Sequence, residues 1–232
     1  MHMRQLRLRV VIGVVIVGVI LISACGGGSD SETTTTSRKP ATTTTTKAVA
    51  LDLSTAVFPA GDIRYSSPVE AATAFANEYV GFTSPIVGVF VAGDSRSGEV
   101  PVQATNSGVV TTVLVRQLDA AGHWWVLGSS SPNLVLTSPS VGAAITSAVT
   151  LRGQSTAFEA TFNVEIRQDR TAPALGGGPA MGGSNGDMGP FTDVVSFTQP
   201  TQPRGAILLK TYSMKDGTVA EASVIRIAFA GV

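Results

Sequence analysis

The second half of this chain is a series of short apolar segments, each separated from the next by turn-forming residues. We predict strands at 134–137, 148–154, 160–167, 191–198, 206–212 and 222–230. Short strands at this spacing, with no helical periodicity between them, are typical of two antiparallel sheets packed face to face. This feature constrains the fold more than any other, and it predicts a β-sandwich for residues 133–232.

The core of this sandwich has to form without a covalent link between its sheets, because Cys25 is the only cysteine of the chain. The predicted fold is therefore an immunoglobulin-like β-sandwich that lacks the cysteine–tryptophan–cysteine pattern of antibody domains. We expect its core to consist of apolar residues that alternate along the strands: Ile145, Val149, Leu151, Phe162, Val164, Ile166, Val195, Phe197, Leu208, Tyr212, Val224, Ile227 and Phe229.

Residues 51–132 combine one helix with a run of strands. Ser67, Pro68 and Glu70 have the spacing of a helix cap, and Gly81 marks the end of that helix. Strands are predicted at 86–92, 99–105, 109–118 and 124–129. A helix followed by an antiparallel meander is a small α+β domain, so the whole chain is predicted to be mainly β.

Both faces of the predicted meander are apolar. Val113 points to one face and Leu114 to the other, and Trp124 and Trp125 likewise face opposite sides. One helix covers only one face of a sheet. We therefore expect the other face to pack on the second domain or on a partner.

The amino-terminal residues have the organisation of a secretory signal. A start with three arginines precedes thirteen residues of Val, Ile, Leu and Gly, and small residues follow. Residues 1–24 are predicted to be a signal peptide, with an uncleaved anchor as the alternative. The tetrapeptide Ile22-Ser23-Ala24-Cys25 resembles the lipobox of bacterial lipoproteins. The resemblance implies cleavage before Cys25 and a diacylglyceryl anchor on its sulfur, with fatty acyl chains such as palmitate, at the outer face of the cytoplasmic membrane.

Residues 25–50 are expected to form a flexible tether after this anchor. The segment 26–47 contains nine threonines, three glycines and three serines. It has too little apolar surface to offset the entropy of an ordered chain. A coil of this length averages about 26 Å from end to end, which is enough to separate a folded domain from lipid headgroups.

Few residues of the chain could carry chemistry. The 16 basic and 16 acidic residues balance, which argues against a nucleic-acid partner. Signal cleavage leaves His123 as the only histidine, so a hydrolase is a remote alternative, and no metal or cofactor site is predicted. The glycine-rich segment 174–190 lacks the ending of a phosphate-binding loop and is expected to be a long mobile loop. Trp124 and Trp125 could stack on sugars, which leaves cell-wall glycan binding as an alternative function.

Three segments between residues 134 and 230 resemble a known family. LTSPSVGAAITSAVTLRGQSTAFEATFNVEI, GPFTDVVSFTQP and GAILLKTYSMKDG occur in the order found in the immunoglobulin-like domain of bacterial spore germination. The resemblance implies an accessory or binding role without catalysis, in exported and membrane-tethered proteins of germination or sporulation. We therefore expect a non-catalytic binding or assembly module of the cell envelope, whose partner is an envelope protein or the cell wall.

The residues that carry this resemblance also have structural interpretations. Phe158 is expected to fill the core, and Phe191 to have a structural role at the start of its strand. Glu159 is expected to accept backbone hydrogen bonds, with ligand binding as the alternative. Ser213 precedes Asp216 and Gly217, a pair that favours a tight turn with positive φ between two strands.

Overall fold

A computed structural model describes residues 51–171 and 173–232. The predicted signal peptide, Cys25 with its lipobox, and the tether lie outside the described residues. Within the two described ranges, no helix has the length and apolar character needed to cross a bilayer.

The predicted helix begins and ends at the residues that its sequence indicates. Helix α1 spans Pro68–Ala74, and the hydroxyl of Ser67 accepts a hydrogen bond from the amide of Glu70. This contact satisfies one of the free N–H groups of the first turn. Phe75–Val80 continues with π-helical hydrogen bonding and ends at Gly81, whose φ of 97° is a conformation that glycine adopts without steric cost.

Five strands follow, and they form the predicted antiparallel meander. They are β1 (Ile86–Val87), β2 (Val91–Ala92), β3 (Ser97–Gln103), β4 (Thr111–Gln117) and β5 (Trp124–Ser130). The single strand predicted at 86–92 is divided in two, and both halves pair with β3.

Nine further strands complete the structure. They are β6 (Leu134–Ser138), β7 (Ala144–Ile145), β8 (Val149–Ala157), β9 (Thr161–Gln168), β10 (Gly176–Met181), β11 (Gly183–Ser184), β12 (Gly189–Val195), β13 (Arg204–Tyr212) and β14 (Val219–Phe229). Strands β6, β8, β11 and β12 form one sheet, and the others join a ten-stranded sheet in the order β1-β3-β4-β5-β14-β13-β9-β10, with β2 and β7 at its sides. The predicted mainly β fold with an immunoglobulin-like sandwich is confirmed.

The meander and the sandwich are joined edge to edge. Strand β5 pairs with β14 at Ser129 and Val224, so one sheet runs through both halves of the chain. The connection to the sandwich is made by strand pairing, and burial of the outer face of the meander is uneven, because Leu114 on that face stays 37% exposed while Trp125 is 3% exposed. Packing of this face on a partner stays a prediction.

The ten-stranded sheet carries a separate hydrophobic core on each face. Ala206 and Leu208 of β13 pack with α1 and the meander, while Ile207 and Leu209 of the same strand pack with the smaller sheet. Successive side chains of a strand point to opposite faces, so β13 contributes to both cores. The structure therefore has three layers. The helix packs on one face of the ten-stranded sheet and the four-stranded sheet packs on the other, with β13 and β14 in the middle layer.

The glycine-rich segment is ordered into strands, which corrects the expectation of a long loop at 174–190. It contains β10, β11 and the first residues of β12. A Cβ atom on Gly177 would lie 2.1 Å from the carbonyl oxygen of Val164 on the neighbouring strand. Glycine is therefore required there for the backbone of β10 to approach β9.

Two expected core residues are exposed. Phe158 lies in the 3₁₀ turn Phe158–Ala160 between β8 and β9, and 57% of its surface is accessible. The core position is occupied instead by Phe162 and Phe191, whose ring centres are 4.9 Å apart. Tyr212 is also exposed, since it follows a register shift at the end of β13.

Candidate functional site

The two tryptophans do not form a sugar platform, which corrects the glycan-binding interpretation. Trp124 packs into the core beneath α1 and is 9% exposed, and its ring meets Phe90 edge to face at 5.2 Å. Trp125 is 3% exposed, and the guanidinium of Arg64 lies over its ring at 5.4 Å. A ring has to present a free face in order to stack on a sugar, and neither ring does so.

The turn between β13 and β14 contains three of the residues on which the family resemblance rests: Ser213, Asp216 and Gly217. Gly217 has a φ of 70°, and its amide donates to the Ser213 carbonyl at 2.8 Å. The carboxylate of Asp216 accepts hydrogen bonds from the Thr218 amide and hydroxyl. Hydrogen bonding by the Thr218 hydroxyl is the main reason why the pKa of Asp216 is lowered. These contacts give Ser213, Asp216 and Gly217 a structural role.

Glu159 has no such role. Its backbone adopts a φ of 53°, it is exposed, and the hydrogen bond recorded at this residue runs from the Thr161 hydroxyl to its main-chain carbonyl. The expectation that its carboxylate accepts backbone donors is therefore wrong.

His123 is paired with a carboxylate that the sequence reasoning did not assign to it. Its Nδ1 lies 2.5 Å from Oδ2 of Asp119, and its amide donates to Oδ1 of the same residue. Burial alone would raise the pKa of Asp119, but these contacts outweigh it and the pKa is lowered. Within the described ranges, the side-chain hydrogen bond of His123 is made to Asp119.

One concave surface is a cleft of about 360 Å³, which we call the arginine cleft. One wall is the amino-terminal segment 53–64, and the floor includes Trp125 of β5. The other wall comes from the loop after β9 and from the residues that lead into β13. The cleft thus lies between segments from both halves of the chain, and four arginines line it: Arg64, Arg170, Arg204 and Arg226.

Arg226 is the fixed centre of the cleft. Its side chain is buried and makes a bidentate ion pair with Asp169, with nitrogen–oxygen distances of 2.5 and 2.7 Å. Its Nε also donates to the carbonyl of Ser54 at 3.0 Å. A planar guanidinium can satisfy a carboxylate and a carbonyl at once. Arg226 therefore links the segment 53–64 to β14 through a hydrogen bond, and the ion pair with Asp169 balances its charge.

The residues of the arginine cleft carry no local pattern in the sequence, so the cleft could not be predicted from it. Arg64 and Arg226 are separated by most of the folded chain, and only the pairing of β5 with β14 brings their segments together. The described ranges contain no group of His, Cys, Asp and Glu residues with the arrangement of a metal site.

The fold and the cleft define a mainly β protein with an immunoglobulin-like sandwich and a positively charged groove. Residues 133–218 match the family model for the immunoglobulin-like domain of bacterial spore germination, so the predicted resemblance is confirmed for that part of the chain. This is a binding-type domain and not a known catalytic family. No curated protein and no solved structure matches the chain.

Proposed function

We propose that this protein is a lipid-anchored, extracytoplasmic binding or assembly module of the cell envelope that contacts its partner through the arginine cleft. The observation that supports this proposal is that segments from both halves of the chain form the cleft. Its walls come from residues 53–64 and from loops of the immunoglobulin-like domain, and Arg226 links the two. Loops and grooves held by a rigid β scaffold are frequent binding surfaces.

The chemistry of the lining residues supports binding without catalysis. Arginine is always protonated, so it neither donates nor removes a proton in a reaction near neutral pH. Asp169 is engaged by Arg226 in a bidentate pair. The lining groups can therefore attract and orient a partner, and none of them is suited to general acid or base catalysis. The match to the germination-type domain supports a role in germination or in a related envelope process.

The anchor in this proposal is Cys25. The basic start, the apolar run and the sequence Ile22-Ser23-Ala24-Cys25 support lipidation at this sulfur. Two acyl chains hold a protein on a membrane much more firmly than one does. The threonine-rich tether would leave the cleft accessible above the headgroups.

Mass spectrometry of the native protein tests the anchor. We expect the first peptide to begin at Cys25 and to carry a diacylglyceryl group. The Cys25→Ser variant should lose this group and leave the membrane fraction, whereas the matched Ser31→Ala variant should behave as the native chain. A native chain that retains Met1 and a free thiol would contradict the anchor.

Charge reversal tests the contact surface. In the Cys25→Ser background, which removes the lipid anchor, the protein added to washed envelope fragments of the source bacterium should co-sediment with them, and a further Arg204→Glu substitution should reduce the bound fraction at least tenfold. Arg152→Glu is the matched control, because Arg152 is an exposed strand arginine of β8 that does not line the cleft. If both variants lost envelope binding to the same extent, the contact would depend on the overall charge of the protein and not on the cleft.

A further inference from the structure

Three arginines of the cleft form no ion pair with a carboxylate within the described ranges. Arg170 is exposed and makes no ion pair or hydrogen bond through its side chain within the described ranges. Arg204 has one long contact, from Nη1 to the Ser54 carbonyl at 3.4 Å. Arg64 donates through Nη1 to the carbonyls of Gly61 and Ile63. The guanidinium nitrogens that remain are available to a ligand.

Among the described residues, Asp169 is the only carboxylate that lines the cleft, and it is already paired. Asp169 is held by both terminal nitrogens of the buried Arg226. Opening this pair would leave a buried arginine without its counter-charge, which is strongly unfavourable. Asp169 therefore stays with Arg226, and the other three arginines leave the cleft with an excess of positive charge even when the carboxylate of Asp52 beside it is counted.

The field of these arginines extends beyond the lining residues. Asp52 lies beside the cleft, and its pKa is lowered by hydrogen bonding from Ser54 first and then by the charges of Arg204 and Arg226. A negative group at the rim is thus stabilised by the same arginines. An incoming anion would experience the same attraction.

The size of the cleft limits what can fill it. Its volume of about 360 Å³ is at the lower end of the range for small-molecule sites. Leu53, Pro59 and Pro203 add apolar surface to the walls. A single small ion would leave most of this space empty, whereas a compact molecule with several anionic groups would fill it and meet more than one guanidinium.

We propose that the arginine cleft binds a small oxyanionic ligand with at least two negative charges, either a phosphorylated group or a polycarboxylate. The inference rests on the proposed function, because it names the ligand class for the same cleft. Guanidinium groups recognise both oxyanions through paired N–H donors. The phosphorylated or carboxylated ligand is then the feature by which the protein recognises its envelope partner.

Calorimetric titration of the full chain in non-ionic detergent tests the inference, with pyrophosphate and citrate as probes and glucose as the neutral comparison. We expect saturable one-site binding of at least one anion, no binding of glucose, and an affinity that falls as salt is raised. Tighter binding of pyrophosphate assigns the phosphorylated class, and tighter binding of citrate assigns the polycarboxylate class. The absence of saturable binding for both anions at low salt would overturn the inference.

Variants connect the binding to the cleft. The double variant Arg170→Asn, Arg204→Gln should bind the preferred anion at least tenfold more weakly, while Arg152→Gln should bind it as the wild type does. Thermal unfolding of each variant checks that the exposed substitutions leave the fold intact. Equal affinities for the double variant and the control would overturn the inference.

The two proposals fail in different ways. If envelope binding is sensitive to Arg204→Glu but neither anion binds, the contact surface stands and the ligand class is wrong. If an anion binds in the cleft and envelope binding is insensitive to the same variant, the ligand site stands and the proposed contact is wrong.

Discussion

Arg167 on β9 donates through Nη1 to the carbonyl oxygen of Tyr79 at 2.6 Å, and its guanidinium lies 5.3 Å from the centre of the Tyr79 ring. Tyr79 belongs to the last turn before Gly81, where helical carbonyls have no partner within the helix. Burial raises the pKa of Tyr79, so its ring stays neutral beneath the arginine. The contact links the carboxyl end of the helical segment to β9 of the ten-stranded sheet.

Replacing Arg167 with alanine is expected to lower the free energy of unfolding by about 2 kcal/mol, because the charged hydrogen bond and the cation–π contact to Tyr79 are lost together with the ion pair to Glu165. Urea denaturation followed by circular dichroism measures the change. Arg152→Ala is the matched control and should change stability by less than about 0.5 kcal/mol, since its side chain is exposed on β8. Similar effects of the two substitutions would contradict this role of Arg167.

Glu165 makes stability depend on pH in the acid range. Burial would raise its pKa, but the hydrogen bond from Lys210 and the charges of Arg167 and Lys210 outweigh burial and lower the pKa below its ordinary value. A carboxyl group with a lowered folded-state pKa contributes stability above its unfolded-state pKa, and this contribution is lost as pH falls through the folded-state pKa. Below about pH 4.5, the protein should therefore lose stability as this group is protonated.

The Glu165→Gln variant should show a weaker decline in stability between about pH 5 and pH 2.5, because its side chain does not titrate. Urea midpoints measured across this range give the comparison. Glu99→Gln, at an exposed position of β3, should keep the wild-type pH dependence. If the stability of Glu165→Gln declined as steeply as that of the wild type, other groups would control acid unfolding.

Gly128 allows the meander to join the sandwich. A Cβ atom at this position would lie 2.3 Å from the carbonyl oxygen of Val224, next to the Ser129–Val224 pair that connects β5 with β14. Gly128→Ala should therefore cost about 3 kcal/mol, since the clash involves backbone and φ is 154°. Gly93→Ala is the control, because a Cβ atom there has no contact shorter than 3.7 Å. Equal melting temperatures for the two variants would contradict a close strand approach.

Local patterns in the sequence predicted most of the elements, but neither the strands of the glycine-rich segment nor the assembly of the sheets. The cap at Ser67 and the stop at Gly81 predicted the helix because both act within one or two turns of the chain. The pairing of Ser129 with Val224 depends on segments far apart in sequence, and no periodicity encodes it. The arginine cleft depends on that pairing, so it was missed together with it.

Two phenylalanines near a single turn also differ in burial in a way that the local sequence does not predict. Phe158 and Phe162 are equally apolar, and both stand near the predicted strand at 160–167. The turn at Phe158–Ala160, with positive φ at Glu159 and Ala160, places Phe158 outside and leaves the core to Phe162. Whether two non-glycine residues adopt positive φ is decided by the surrounding sheets, and the sequence carries no signal for it.

Substitution at these two positions should have very different consequences. Phe162→Ala should cost about 3 to 5 kcal/mol, because a fully buried ring is removed from the core. Phe158→Ser should change stability by less than about 0.5 kcal/mol, because the exposed ring loses little contact. Thermal melting of both variants measures the contrast. A large loss in Phe158→Ser would mean that this ring is buried in solution.

The shared sheet predicts that residues 133–232 do not make a well-packed domain by themselves. Removing residues 51–132 uncovers one face of the long sheet, where Ala206, Leu208, Ala222 and Val224 are buried against the helix and the meander. Contiguous exposed apolar surface binds hydrophobic dyes and promotes association. The fragment 133–232 should therefore bind a fluorescent hydrophobic dye and unfold without a sharp transition, whereas the fragment 51–232 should bind little dye and unfold cooperatively. Sharp unfolding of 133–232 without dye binding would show that the sandwich is stable without the helical layer, and that the pairing of β5 with β14 adds little to its fold.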